Sequence, residues 1–137
     1  ARLKKNFKDL KLFPVDARVS HKEFVFGLAS SLISVDSWGG GQCCARMWEI
    51  LANLSCCFFQ KFDIVMPYPF HDGVNAVSYA TIDEFEEKLK YYLSNKELAF
   101  SIATQGFFHM SKYHTPRARI QYIFDVISNQ FNKANIG

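Results

Sequence analysis

Seven residues between Trp38 and Glu49 are the ones best suited to hold an anionic ligand: Trp38, Gly39, Gly40, Gly41, Gln42, Arg46 and Glu49. The run Asp36-Ser37-Trp38-Gly39-Gly40-Gly41-Gln42 leaves an apolar stretch and enters an amphipathic one. Glycines in such a turn let backbone N–H groups approach a phosphate, and a helix N-terminus behind them favours negative charge. The run matches neither the dinucleotide nor the P-loop fingerprint, so a plain flexible connection is the competing reading. Behind it, Gln42, Arg46, Glu49 and Asn53 recur at intervals of four, three and four. On a helix they form one polar stripe. That stripe is either a solvated face or a site in which Arg46 meets a phosphate and Glu49 accepts sugar hydroxyls. A carboxylate accepts two vicinal hydroxyls well, as in ribose recognition.

Other polar residues have weaker claims. His71-Asp72 in a Pro-flanked segment could touch a sugar or a metal, but turn chemistry accounts for the pair equally well. His114, Arg117 and Arg119 sit at a helix start, where capping and surface charge suffice. His21 and His109 receive no role. Four cysteines come as the adjacent pairs Cys43-Cys44 and Cys56-Cys57. Adjacent side chains on a regular element point apart, which does not suit a shared metal ion. They read as buried reduced thiols of a cytoplasmic protein. No metal-ligand spacing and no Ser-His-Asp arrangement is present.

The elements that must position these residues are legible from periodicity. Leu10–Phe13 reads as a short strand closed by Pro14. Ser20-His21-Lys22-Glu23 is a capping box, in which Ser and Glu side chains satisfy free N–H groups at a helix start. Phe24, Val25, Leu28 and Ala29 follow at helical spacing. Residues 32–35 read as a strand. A helix is expected from about Gln42 to Asn53, with Cys44, Met47, Trp48 and Leu51 as its apolar stripe. The wholly apolar Cys56-Cys57-Phe58-Phe59 suits a strand covered on both faces.

Residues 62–73 carry two prolines and read as a loop. Val74–Tyr79 reads as another strand. Three helices complete the chain. The first opens on Thr81-Ile82-Asp83-Glu84 and buries Phe85, Leu89 and Leu93. The second is capped by Ser94 and buries Leu98, Ile102 and Phe107, with Gly106 weakening it. The third starts at Thr115-Pro116 and repeats Ile120, Ile123, Phe124, Ile127 and Phe131 at intervals of three and four. The fold class is α/β: a small Rossmann-like parallel sheet flanked by helices, with a C-terminal helical segment. Ligands of such sheets lie at the carboxyl ends of the strands.

Composition bounds the rest. A chain of 137 residues suits one domain, 1–137, and 14 Phe can fill its core. The 49% apolar and 21% charged residues exclude disorder and coiled coil. The net charge of +3 is compatible with an anionic small molecule and too weak to argue a nucleic-acid partner. Early basic residues (Arg2, Lys4, Lys5, Lys8, Lys11) read as solvated surface. No apolar run reaches the roughly 18 residues of a membrane span, and no signal peptide is expected.

A family resemblance rests on several segments in order. Arg46-Met47-Trp48-Glu49-Ile50-Leu51-Ala52-Asn53 resembles the R-x-W-E-I-L-A-x-G segment of group 1 glycosyltransferases. Phe70 through Tyr79 and the helix Asp83–Asn95 are similar to the family's following loop, strand and helix. Ile102-Ala103, Tyr113-His114-Thr115 and Arg119 resemble its closing segment. The likeness spans about residues 19–131. It implies the donor-binding half of a retaining, sugar-nucleotide-dependent enzyme of the GT-B fold. By resemblance, Glu49 contacts the nucleoside ribose and Arg46 lies near the phosphates. Residues 36–42 then line the donor sugar and diphosphate. Two positions depart from the family: Gly41 stands where a related pattern has a first acid, and Leu54 stands where it has glycine.

The expected function is therefore nucleotide-sugar binding for glycosyl transfer to a glycan or other acceptor. No cofactor beyond the donor is expected. An N-terminal acceptor domain would lie outside this chain, which reads as a partial donor domain and by itself an incomplete, inactive fragment. The alternative is a non-catalytic Rossmann-like interaction module derived from that fold. A flavodoxin-like receiver or redox domain would need an acidic pocket or a phosphate loop, and the sequence offers neither.

Overall fold

The structure is a computed structural model and describes residues 19–134. The expected strand at Leu10–Phe13 and the early basic cluster lie outside the described residues. Helix α1 spans His21–Ala29 and opens with the expected capping box. The Ser20 N–H donates to Glu23 Oε2 at 2.8 Å, and the Glu23 N–H donates back to Ser20 Oγ at 3.3 Å. Strand β1 (Ile33–Asp36) follows. Helix α2 (Ala45–Ala52) returns the chain to strand β2 (Cys56–Gln60). A long loop leads to β3 (Val77–Tyr79), and helices α3 (Ile82–Ser94), α4 (Lys96–Tyr113) and α5 (Pro116–Ala134) complete the fold.

The sheet is parallel throughout, in the order β1-β2-β3. Asp36 pairs with Phe59, and Gln60 with Tyr79, so the three strands end on one edge. The central strand sends Cys56 and Phe58 to one face, against Val77, Tyr79, Phe85, Leu89, Tyr92, Ile102 and Ala103. It sends Cys57 and Phe59 to the other, against Leu28, Met47, Ile50, Leu51 and Ala76. Both faces of β2 are thus covered, as its unbroken apolar run requires. All four cysteines are free thiols. Burial pushes Cys56 up to about 12 and raises Cys57 well above its ordinary value, so both stay protonated and inert.

Five local expectations change. Strand β3 starts at Val77 rather than Val74, because the Val74 and Asn75 N–H groups close a turn onto His71 O at 3.1 and 3.2 Å. Helix α2 starts at Ala45 rather than Gln42, because Cys44 takes the extended backbone of an N-cap residue. The N-cap of α4 is Asn95 rather than Ser94, which is still the last residue of α3. The face α4 buries is Ala99, Ile102, Ala103 and Gly106, while Leu98 and the neighbouring Phe108 are exposed. Small residues win there because α4 lies close against both β2 and α2. A Cβ on Gly106 would meet Asn75 O at 2.5 Å and Leu51 Cδ2 at 2.8 Å. Finally, the apolar repeat of α5 is not core. Ile120, Ile123, Phe124, Ile127 and Phe131 are all exposed, Phe131 at 67%.

The loop between β2 and β3 is fixed by charge. Asp72 accepts the Ser78 N–H at 2.8 Å and the Lys88 ammonium at 2.7 Å. Lys88 also donates to Ser78 O at 2.6 Å and pairs with Glu84 at 2.9 Å. Glu84 accepts the Ala80 N–H at 2.8 Å. That backbone bond, with Lys88 beside it, pulls the Glu84 carboxyl down to about 2. Asp72 therefore has a structural role, and the described residues contain no group of His, Cys, Asp or Glu that could hold a metal.

Helix α2 ends in a left-handed residue. Leu54 has φ +56°, its N–H donates to Leu51 O at 3.3 Å, and the Ser55 N–H donates to Ile50 O at 3.4 Å. This is a Schellman end, which glycine adopts without steric cost and leucine does not. The position is the one at which the group 1 pattern has glycine.

Two substitutions should therefore act in opposite senses. Gly106→Ala should destabilise by about 1–2 kcal/mol despite the better helix propensity of alanine, because the clash is with backbone. Leu54→Gly should stabilise by roughly 0.5–1 kcal/mol, since Leu54 is half exposed and loses little packing. Urea unfolding of both variants checks this, and reversed signs would contradict the packing described.

Candidate functional site

The carboxyl edge of the sheet is where the chain's unusual local features meet. Strand β1 ends there at Asp36, and the glycine run follows directly. The run folds back on itself, with the Gly39 N–H donating to Gly41 O at 3.2 Å. The Cys44 thiol donates to the same carbonyl at 3.2 Å. Gly40 and Gly41 border open space. Trp38 is about half exposed. The loop then delivers the N-terminus of α2, whose first N–H groups have no side-chain cap.

Of the seven predicted residues, Arg46 and Glu49 lie three apart on α2, in its first and second turns. Arg46 is exposed and Glu49 half-buried. Among the described residues, no hydrogen bond or ion pair engages the Glu49 carboxylate. Gln42 lies before the helix and does something else: its Oε1 accepts the Asp63 N–H at 3.3 Å. It ties the glycine loop to the loop after β2. The polar stripe is thus shorter than its spacing implies. Asn53 is also spent locally, donating to Glu49 O at 2.8 Å.

Asp36 is the residue that the sequence offered only as the first of the stretch 36–42 along the donor, with no role of its own. It is only 3% exposed, and its Oδ1 is buried without a hydrogen-bond partner. Burial holds its carboxyl above the usual carboxylate range, and the positive charge of Arg46 only partly offsets this. Its charge in turn raises the Cys43 and Tyr79 side chains, both already raised by burial. The Tyr79 hydroxyl reaches Asp36 O at 3.4 Å. The one available signal was an acid at the end of an apolar strand.

A second cluster fixes the loop after β2. Tyr68 has φ +54°, a conformation leucine-like and aromatic residues avoid. Its carbonyl accepts from His109 Nε2 and His114 Nε2, each at 2.9 Å, and its ring stacks on Tyr113 with centroids 4.3 Å apart. Arg119 donates to His114 Nδ1 at 3.1 Å and lies 5.3 Å from the Trp48 ring. Trp48, Phe70 and His114 rings pack together at 5.2–6.0 Å. His114 and Arg119 are thus a structural pair, as the capping alternative had it, although they clamp a loop rather than a helix end. Beside this loop lies a pocket of about 220 Å³, lined by residues that include Phe59, Lys61, Phe62, Met66 and Phe70. None of the seven predicted residues lines it.

A family profile described as glycosyl transferase-like matches residues 12–125. The chain belongs to the glycosyl transferase-like family. The matched span takes in β1, the glycine loop, α2 and the His114–Arg119 pair. Comparison with curated proteins and with solved structures gives no match. Glycosyl transfer is the activity that membership supports, on an α/β domain with a parallel sheet. Among the described residues, no helix is long and apolar enough to cross a membrane.

The clamp has a testable protonation state. A guanidinium only donates, so His114 Nδ1 must accept and Nε2 must carry the proton. Burial holds His114 below its ordinary 6.5, and Arg119 and His109 push the same way, while the Tyr68 carbonyl opposes them. The stability gained from this neutral ring is complete above about pH 6.5 and is lost as pH falls through the lowered value. Nitrogen NMR of the imidazoles should show an Nε2–H tautomer for His114 titrating below 6.5. A midpoint above that, or an Nδ1–H tautomer, would contradict the clamp.

Proposed function

We propose that the chain is the donor-binding domain of a sugar-nucleotide-dependent glycosyltransferase. The observation that carries the reading is the arrangement at the sheet's carboxyl edge. An uncapped helix N-terminus, an open glycine loop, an exposed Arg46 and an unengaged Glu49 occur together where ligands of parallel sheets bind. The diphosphate would lie against Gly39, Gly40, Gly41 and the start of α2, with Arg46 supplying charge. Glu49 would accept the two ribose hydroxyls, and Trp38 and Gln42 would border the donor.

In the intact enzyme, the donor domain would stabilise the departing diphosphate electrostatically. Fixed positioning of donor and acceptor would supply much of the remaining rate. The group 1 likeness favours a GT-B arrangement and transfer with retention. It also favours an acceptor-binding domain beyond this chain, which alone would be an inactive part of the enzyme. The reading calls for no cofactor beyond the donor and for no nucleic-acid partner. The four free thiols suit a reducing compartment and support the cytoplasm.

A second reading, a non-catalytic interaction module of the same fold, draws on one observation. The exposed stripe Ile120, Ile123, Phe124, Ile127 and Phe131 is a large apolar face on a single helix. Concentration-dependent sedimentation without nucleotide binding would favour it.

Calorimetry with UDP, GDP and ADP separates the two. One of these diphosphates should bind, and Glu49→Ala should weaken it about tenfold or more without unfolding the domain, as loss of a charged hydrogen-bond acceptor does. An unchanged dissociation constant in the variant would remove Glu49 from the site.

A further inference from the structure

Among the described residues the buried Asp36 Oδ1 has no hydrogen-bond partner, and its surroundings say what kind of group is missing. Asp36 pairs with Phe59 across the sheet, and Ser34, on the same face of β1, has its hydroxyl 2.7 Å from that of Ser55. The Ser34 and Ser55 hydroxyls are thus engaged with each other, and the weakly donating Cys43 and Cys57 thiols, which the Asp36 charge raises, make no hydrogen bond to it. The side chains of the glycine run that follows Asp36 stop at hydrogen, and around Gly40 and Gly41 there is open space. Arg46 is close enough to influence Asp36 electrostatically but makes no ion pair with it, and its side chain stays exposed.

Buried polar atoms in native proteins are nearly always satisfied, so an orphan at a ligand edge calls for a donor from outside the chain. A second cation would compete with Arg46 for a site that has not even drawn Arg46 in. A neutral hydroxyl donates one proton and adds no charge to a desolvated place. It is a group that a sugar carries next to a diphosphate.

We propose that Asp36 is a specificity-determining residue whose buried carboxyl oxygen accepts a hydroxyl of the donor's sugar. The inference rests on the donor-binding reading and deepens it. It also gives a reason for Gly41. The acid that the related pattern places at position 41 is absent, and an acid five residues earlier, at the end of β1, takes over contact with the sugar. Asp36 and Glu49 then divide the donor between them, with the transferred sugar at Asp36 and the ribose at Glu49.

The test compares each diphosphate with its sugar conjugates by calorimetry: UDP with UDP-glucose and UDP-N-acetylglucosamine, GDP with GDP-mannose, ADP with ADP-glucose. On the unaltered chain a matching sugar should tighten binding about tenfold. Asp36→Ala should abolish that gain while leaving the bare diphosphate within about twofold, and Asp36→Asn, which keeps an acceptor oxygen, should restore part of it. Should Asp36→Ala fail to fold, deoxy-sugar conjugates on the unaltered chain read the same contact, and one of them should lose the gain. Bare diphosphate binding with the sugar gain intact in Asp36→Ala, or with no sugar gain on the unaltered chain, overturns the role of Asp36 and leaves the nucleotide site standing. Absence of binding by all three diphosphates overturns both readings.

Discussion

Double-sided burial of the central strand is the constraint on which the rest depends. Cys56-Cys57-Phe58-Phe59 has no polar side chain to turn outward, so both faces of β2 must be covered. One cover is α2, which returns the chain from the end of β1 to the start of β2. On that face α1 adds Leu28, and α3 and α4 cover the other. A helix that leads from one parallel strand into the next must begin at the carboxyl edge it has just left. The same demand that hides Phe58 and Phe59 therefore places the N-terminus of α2, Arg46 and the glycine run at one edge.

The depth of that packing decides which side chains the flanking helices can carry. Helix α4 meets both β2 and α2, and it does so through Ala99, Ala103 and Gly106. Glycine in a helix interior is locally unfavourable. Here the cost is offset by an approach that would leave no room for a Cβ. Of the larger residues of α4, Ile102 is buried, while Leu98 and Phe108 lie at the surface. Charge does the corresponding work on the loop after β2. The Asp72–Lys88–Glu84 group holds its far end to β3 and α3, and the His109–His114–Arg119 clamp holds its middle.

The sequence stated the architecture well and the site less well, for a physical reason. Capping boxes, apolar runs and the Thr115-Pro116 start are local signals, so α1, β2 and α5 could be read in advance. Of the buried face of α4 only Ile102 could be read, because periodicity favours the large residues while contact geometry also drew in Ala99, Ala103 and Gly106. The apolar repeat of α5 was legible as a stripe, but no sequence rule says whether a stripe finds a partner. Arg46 and Glu49 were legible through helical spacing. Gln42 was misplaced on that helix because a one-turn shift in the N-cap is invisible to spacing. Asp36 was legible only as the first residue of the stretch 36–42, because its individual character comes from burial at a strand end, and burial is a tertiary property.

The two polar clusters at this edge differ in a way that separates structure from function. In the Tyr68 clamp, donors meet acceptors: two imidazole nitrogens meet one carbonyl, and a guanidinium meets the remaining nitrogen of His114. Such a network rigidifies its loop and has little left to offer a ligand. Around α2 the balance is reversed. Asp36 has a buried oxygen without a donor, Glu49 has an unengaged carboxylate, and the first turn of the helix has free N–H groups. The chain satisfies His114 fully, yet among the described residues Asp36 makes no ion pair with Arg46, whose charge it feels. The unmet hydrogen-bonding capacity is concentrated in the segment where the family's R-x-W-E stretch begins, on the edge where a parallel sheet presents its ligand. An acceptor at each end of a cationic, N–H-lined surface suits a ligand whose hydroxyls flank a diphosphate.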